Sequence, residues 1–268
     1  MKTQDFFAIN PVFRAEEFGK FLVNKDSDNI RTRDSMLAHY VNAGRLIRVR
    51  RGLYAVVSPG QTAESVQPDP FLLTSRMTPD AVLAYHTALE FHGKAYSVFR
   101  EFTYLTHTTT RSAEFRGNTF RGVAFPKSLL KNNHESFGVD TAERAGLDTR
   151  VASLDRTLVD VLDRPALSGG WEEIWRSLES VEYFNLDDVV EYALLLDNAT
   201  TIAKVGFYLE QHAEPLMVED SYLEQLRAHS PCKPHYMDRS IREPGRLLES
   251  WNLIVPDRIL NRSWEEVR

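Results

Sequence analysis

The stretch Arg31 to Val57, RTRDSMLAHYVNAGRLIRVRRGLYAVV, constrains this chain more than any other. Met36, Leu37, Tyr40 and Val41 recur at helical spacing and form one apolar stripe. Arg31, Thr32, Arg33, Ser35, His39 and Asn42 occupy the remaining surface of that helix. Gly44 stands where helices commonly end with a positive φ, which glycine adopts without steric cost. Beyond it, Leu46, Arg48 and Arg50 alternate with Ile47 and Val49, the period of a strand. The pair Arg51-Gly52 can turn the chain, and Leu53 to Val57 returns as a second strand. A helix with a polar outer face followed by a basic hairpin predicts the recognition helix and wing of a winged helix-turn-helix. Such a helix enters the major groove of DNA while the wing rides the backbone.

A net charge of −6 is unexpected for a nucleic-acid binder, but its distribution is uneven. Residues 31–51 hold six arginines against Asp34 alone, which is +5 and leaves −11 for the rest of the chain. A basic patch on an acidic body is an electrostatic footprint that the overall charge hides. The 268 residues leave room for one or two domains, and 43% apolar with 26% charged residues is ordinary globular composition. No apolar run approaches the length of a membrane span, and MKTQDFFAINPVFR lacks the layout of a signal peptide. Cys232 is the only cysteine, so there is no intrachain disulfide and no cysteine cluster for zinc. These features point to the cytoplasm, with no membrane partner.

Upstream, Phe6, Phe7 and Val12-Phe13 read as a lead-in, and Ala15 to Val23 reads as a helix with Phe18, Phe21 and Leu22 inward. Asn24 to Asn29 is the expected turn of the motif. Downstream, SPGQTAESVQPDP holds four of the chain's prolines and glycines close together and little to bury. A domain boundary is expected there, giving a basic head over 1–66 and an acidic body over 67–268. In the body, Phe102 to Thr106, Phe120 to Phe125 and Thr149 to Ala152 read as strands. From Leu154 on the pattern is mostly helical, through a segment at Ser221 to Ala228, and the apolar tail WNLIVPDRIL should pack on the body. The fold class expected is α+β: a winged helix-turn-helix followed by a larger mixed α/β domain.

Several groups invite a catalytic reading. His86 and Glu90 lie at i,i+4, with His92 close by, but the metalloprotease pattern H-E-x-x-H is absent and no third ligand is in view. Asp155, Asp160 and Asp163 flank one helix. Helix capping and pairing of Asp160 with Arg156 and Arg164 account for them better than Mg²⁺ chemistry does. Gly169-Gly170 lacks the further glycines and lysine of a phosphate loop. Cys232 has no basic cluster to activate it. No catalytic residue, metal or cofactor is assigned, and the chain reads as a non-enzyme.

Three stretches carry a family resemblance: GRLIRVRRGLYAVV; AYHTALEFHG; and SLDRTLVDVLDRPALSGGWEEIWRSLE followed by DDVVEYALLLDNATTIAKVGFYLEQ. Taken together they span nearly the whole chain, and the chain resembles the AbiEi family of antitoxins, regulators found with phage-defence and toxin–antitoxin modules. The resemblance implies a head that binds the operator of its own operon and a body that counters a cognate nucleotidyltransferase-like toxin. It implies no catalytic residue.

The resulting expectation is a sequence-specific autorepressor and antitoxin. Its partners would be double-stranded operator DNA and the toxin, with self-association on DNA left open. Arg31, Thr32, Arg33, Ser35, His39 and Asn42 are expected to face the groove, with Arg33 matched to guanine. Arg48 and Arg50, from one side of a strand, and Arg51 in the turn are expected to meet phosphates. Two rivals are a ligand-sensing transcription factor, with Trp171, Trp175, Tyr183 and Phe184 lining its pocket, and a DNA-targeted nuclease.

Overall fold

The computed structural model describes residues 3–23, 30–240 and 243–264, and within them the chain is α+β. In chain order the first elements are α1 (Thr3–Ile9), β1 (Val12–Arg14), α2 (Ala15–Val23), α3 (Ile30–Asn42), β2 (Leu46–Arg50) and β3 (Leu53–Val56). Then come α4 (Pro70–Ser75), β4 (Val82–Leu83), α5 (His86–Phe91), β5 (Glu101–Thr106), β6 (Ala113–Phe115), β7 (Asn118–Ala124), α6 (Lys127–Asn132), β8 (Val139–Arg144) and β9 (Leu147–Ala152). The last part holds α7 (Leu154–Asp163), α8 (Trp171–Glu179), α9 (Leu186–Leu195), α10 (Ala199–Gln211) and α11 (Asp220–Arg227). It ends in β10 (His235–Tyr236), β11 (Gly245–Leu248), β12 (Leu253–Pro256) and α12 (Asp257–Leu260). The turn expected at Asn24 to Asn29 lies outside the described residues.

Contacts divide the chain into two compact units that do not run in sequence order. The first comprises residues 1–83, 100–124 and 141–151; the second comprises 84–99, 125–140 and 152–268. They do not coincide with a cut between residues 66 and 67.

The first unit begins with a small three-stranded sheet of order β1-β3-β2, an arrangement with α1, α2 and α3 that is compatible with a winged helix. The aromatic run of the lead-in explains it. Phe6, Phe7, Phe13 and Phe18 are all buried and stack with Leu22, Leu37 and Leu46 into one core. The lead-in is therefore partly helical, since α1 carries Phe6 and Phe7 inward. Glu17 begins α2 by accepting the Arg14 backbone N–H, one half of a capping box. Gly44, at φ +67°, ends α3 in a Schellman motif: Arg45 N–H donates to the Tyr40 carbonyl and Gly44 N–H to the Val41 carbonyl.

The opposite face of that small sheet is also covered. Val12, Ile47, Leu53 and Ala55 share a core with Leu72, Leu73 and Met77, and with Phe102, Tyr104 and Phe120. A strand buried on both faces reads as a near-continuous apolar run, which Leu46-Ile47 is. The same unit holds most of a six-stranded mixed sheet of order β6-β7-β5-β4-β9-β8, with β5 and β7 parallel. Of its strands, β8 (VDTAER) has no apolar alternation and is not predicted by pattern.

The second unit is a helical assembly around α7, α8, α9 and α10, with the short sheet β10-β12-β11 beside it. Trp251, Leu253, Val255 and Ile259 of the tail are buried in its core. Gly206 lies mid-helix in α10 because Trp251 crosses it there: a Cβ at that position would come 2.2 Å from the indole ring. Trp171, Trp175 and Phe184 belong to the same core, while Tyr183 is exposed. Among the described residues no helix is long and apolar enough to cross a membrane.

Candidate nucleic-acid interface

Nine side chains were expected to face DNA, and the structure sorts them into three groups. Arg33, Asn42, Arg48 and Arg51 line one cleft of about 640 Å³ between α3 and the wing. Arg31, Thr32, Ser35 and His39 line a shallower groove of about 470 Å³ on the other side of the same helix. Arg50 lines neither.

Arg50 corrects the expectation that it projects from the same side as Arg48. The β2–β3 register shifts between them: Arg48 faces Tyr54, whereas Arg50 faces Leu53. Side chains opposite each other in an antiparallel pair share a face. Tyr54 packs with the core under α3, and Leu53 packs with the core on the far face. The bulge therefore flips Arg50 away from Arg48, with its Nη1 3.8 Å from the Met77 sulfur. The period-2 pattern carries no sign of an inserted residue.

Arg33 also departs from the picture of an outward base reader. Its guanidinium lies against Asp34, with Nε and Nη2 each 2.8 Å from Oδ1, and its side chain is 22% exposed. The stem crosses α2 at Gly19, where a Cβ would stand 3.3 Å from Arg33 Cδ. Thr32, Ser35, His39 and Asn42 are exposed on α3, and Arg48 and Arg51 are exposed on the wing. Gly52, at φ +79°, makes the turn that brings Arg51 to the cleft mouth. Arg14, a residue not predicted for this site, lines the same cleft. Its guanidinium is held by the carbonyls of Arg76 and Met77, each at 3.2 Å, and by Glu16 at 2.9 Å. Only the pairing of β1 with β3 places it there, which the sequence does not announce.

The groups with catalytic appeal are engaged elsewhere. Buried His86 has its Nε2 3.0 Å from Glu173 and its Nδ1 3.0 Å from Glu90, the latter off the direction of a hydrogen bond. Its ring stacks on Phe99 at 3.8 Å. His92 instead meets the Ala152 carbonyl, at 2.8 Å from Nε2. Burial works against ionisation of Glu173, but hydrogen bonds from Ser97 and His86 outweigh it and hold the carboxyl below its usual range. Asp155 accepts the Asn185 backbone N–H at 2.8 Å, while Ser153 caps α7. Asp160 binds Arg156 Nε at 3.2 Å and the Tyr192 hydroxyl at 2.7 Å. Arg164 pairs with Asp163, at 3.4 Å, and not with Asp160 as expected. Among the described residues no three His, Cys, Asp or Glu side chains are grouped to hold a metal ion. Gly169 is required by Phe99, whose ring would lie 2.6 Å from a Cβ there.

Charge follows the two units. By sequence the first holds 17 basic and 13 acidic residues, a net of +4, and the second holds 15 and 25, a net of −10.

No family model matches the chain, and no curated protein does. Among solved structures it is similar to the RV2827C protein of Mycobacterium tuberculosis, with a TM-score of 0.60 and 16% identity over 98% of this chain and 93% of that one. At that identity the likeness concerns the fold alone.

Proposed function

We propose that this protein is a sequence-specific DNA-binding autorepressor that doubles as an antitoxin of the AbiEi kind, acting in the cytoplasm against a nucleotidyltransferase-like toxin. The observation that carries the DNA-binding half is the gathering of Arg48, Arg51 and Asn42 in one cleft beside the exposed Thr32, Ser35 and His39 of α3. In this reading α3 enters the major groove and offers Ser35, His39 and Asn42 to base edges. Arg48 and Arg51 take phosphates on the flanking strand, fixing register without reading sequence. Arg33 positions the helix by bracing it on α2 through Gly19. The strongly acidic second unit repels phosphate and so favours approach through the wing. Self-association on the operator belongs to the same reading.

The antitoxin half is supported by the three stretches that resemble the AbiEi family and by the acidity of the unit that carries most of them. Acidic surface suits a protein that masks a phosphate-binding enzyme. The nuclease alternative finds no support in Asp155, Asp160 and Asp163, which are bound to three different sets of partners.

Fluorescence anisotropy with duplexes drawn from upstream of the gene tests the DNA half. Binding tighter than to a scrambled duplex by about 10³-fold or more is expected. Equal affinity for both would overturn sequence-specific recognition.

A further inference from the structure

We propose that the cleft at the C-terminal end of α3 binds a small monocarboxylic acid with an apolar tail, and that its occupancy tunes the affinity of α3 for DNA. The second half rests on the DNA-binding reading above; the first does not.

The cleft measures about 600 Å³, a size ordinary for small-molecule sites. One wall comes from α1, where Gln4, Phe7 and Ala8 recur at i, i+3 and i+4 and so share a side of the helix. Val56 and Val57, at the end of β3, and Pro59 in the turn beyond make a second wall. Backbone hydrogen bonds tie the walls together. Val56 N–H donates to the Pro11 carbonyl and Val57 N–H to the Arg45 carbonyl, both at 2.9 Å. Gln61 N–H donates to the Ser58 carbonyl at 3.0 Å and closes the turn. A cleft framed by such bonds is preformed, which lowers the ordering cost of binding.

Charge names the occupant. Among the described residues that line the cleft, Arg45 alone is charged. Arg14 and Arg33 are held by Glu16 and Asp34, whereas Arg45 has no ion-pair partner among the described residues. Its guanidinium rests on the Tyr40 ring, with Cζ 5.5 Å from the centroid. A guanidinium fork matches a carboxylate, and the exposed amides of Gln4 and Gln61 add donors at the rim. Phosphate would also suit Arg45 but would leave the Phe7, Val56 and Val57 walls without an apolar partner.

A stack of rings joins this cleft to the recognition helix. Tyr40, beneath Arg45, meets Phe7 edge-on at 5.0 Å and His39 at 5.5 Å. In the reading above His39 is offered to base edges. A carboxylate on Arg45 competes with the Tyr40 face for the guanidinium and so acts on the ring beside His39. Arg45 N–H and Gly44 N–H also make the two bonds that end α3, each at 3.0 Å. A ligand that binds the free and the DNA-bound forms unequally changes DNA affinity by the same factor.

The test uses the full chain with methyl-labelled alanine and valine, so that Ala8, Val56 and Val57 report on the cleft by NMR. The probes are octanoate, 4-phenylbutyrate, its neutral amide, acetate and inorganic phosphate. Octanoate or 4-phenylbutyrate should shift these methyl signals saturably, and the amide should bind about tenfold or more weakly than its acid. Arg45→Gln and Ala8→Glu, the latter at an exposed position, should each weaken the acid about tenfold or more. No saturable shift with either long-chain acid would overturn the site. So would acid affinity unchanged in both variants, or acetate or phosphate binding as tightly as the longer acids. Signals that move with protein concentration and no probe would make a second copy the occupant, against the proposal. Anisotropy with the upstream duplex reads the second half: a saturating acid should change its affinity about fivefold or more. Saturable binding with no such change overturns the tuning and leaves the site. Equal affinity for upstream and scrambled duplex sinks the DNA reading and leaves the methyl shifts unaffected.

Discussion

At the scale of residues, one bulge divides the wing. Arg48 and Arg51 face the cleft and Arg50 faces the other core, so three neighbouring arginines should differ in effect. Replacing Arg48 and Arg51 together by alanine should weaken binding to every sequence and lower the salt slope by about 0.9 per lost phosphate contact. Arg50→Ala should leave the slope unaltered; a slope lowered equally by Arg50→Ala would contradict the register described. Glycine in α10 makes a second prediction. Gly206→Ala drives a methyl into the Trp251 ring and should cost about 1–3 kcal/mol, read as a lower melting temperature. A third concerns pH. The folded-state pKa of Glu173 is lowered, so its contribution is fully present above the ordinary carboxylate value and is lost as pH falls from there through the lower folded-state value. Urea denaturation should show stability falling through that window, and Glu173→Gln should flatten that part of the curve. An unchanged curve would mean that the hydrogen bonds Glu173 accepts from Ser97 and His86 contribute nothing.

At the scale of elements, what could be read from the chain were features decided locally. The stripe of α3, the Gly44 stop, the hairpin and helices α7 to α11 each follow from spacing within a dozen residues. What could not be read depended on distant partners. The bulge between Arg48 and Arg50 is set by two opposed cores, one of which is built from Leu72, Met77, Phe102 and Phe120. His86 meets Glu173, 87 positions away, and Arg14 reaches the cleft only through β1 pairing with β3. Strand β8 has no apolar alternation to betray it. The covered far face of the small sheet also bears on the cut after residue 66, where the sequence changes character. A fragment of residues 1–66 loses Leu72, Leu73 and Met77 from beneath Val12, Ile47, Leu53 and Ala55. Leaving such a face open removes several buried contacts, each worth about 1.5–3 kcal/mol. By circular dichroism the fragment should lack the cooperative melting of the intact chain. A sharp transition near that of the full protein would show that the head stands alone after all.

At the scale of the whole molecule, the sign of the charge changes between units while the total hides it: +4 in the unit with the wing and −10 in the other. That division reconciles the proposed DNA binding with an acidic total. In the proposed reading, phosphate contact belongs to the basic unit and not to the acidic one. The most direct test of the central claim is the salt dependence of full-length binding to upstream duplex and to scrambled duplex, for wild type and for Arg48→Ala with Arg51→Ala. The account predicts a clear preference of the wild type for the upstream duplex. It also predicts a variant whose salt slope falls by about 1.8, on both duplexes, for two lost phosphate contacts. Wild-type binding with no preference between duplexes, or a variant slope equal to that of the wild type, would contradict it.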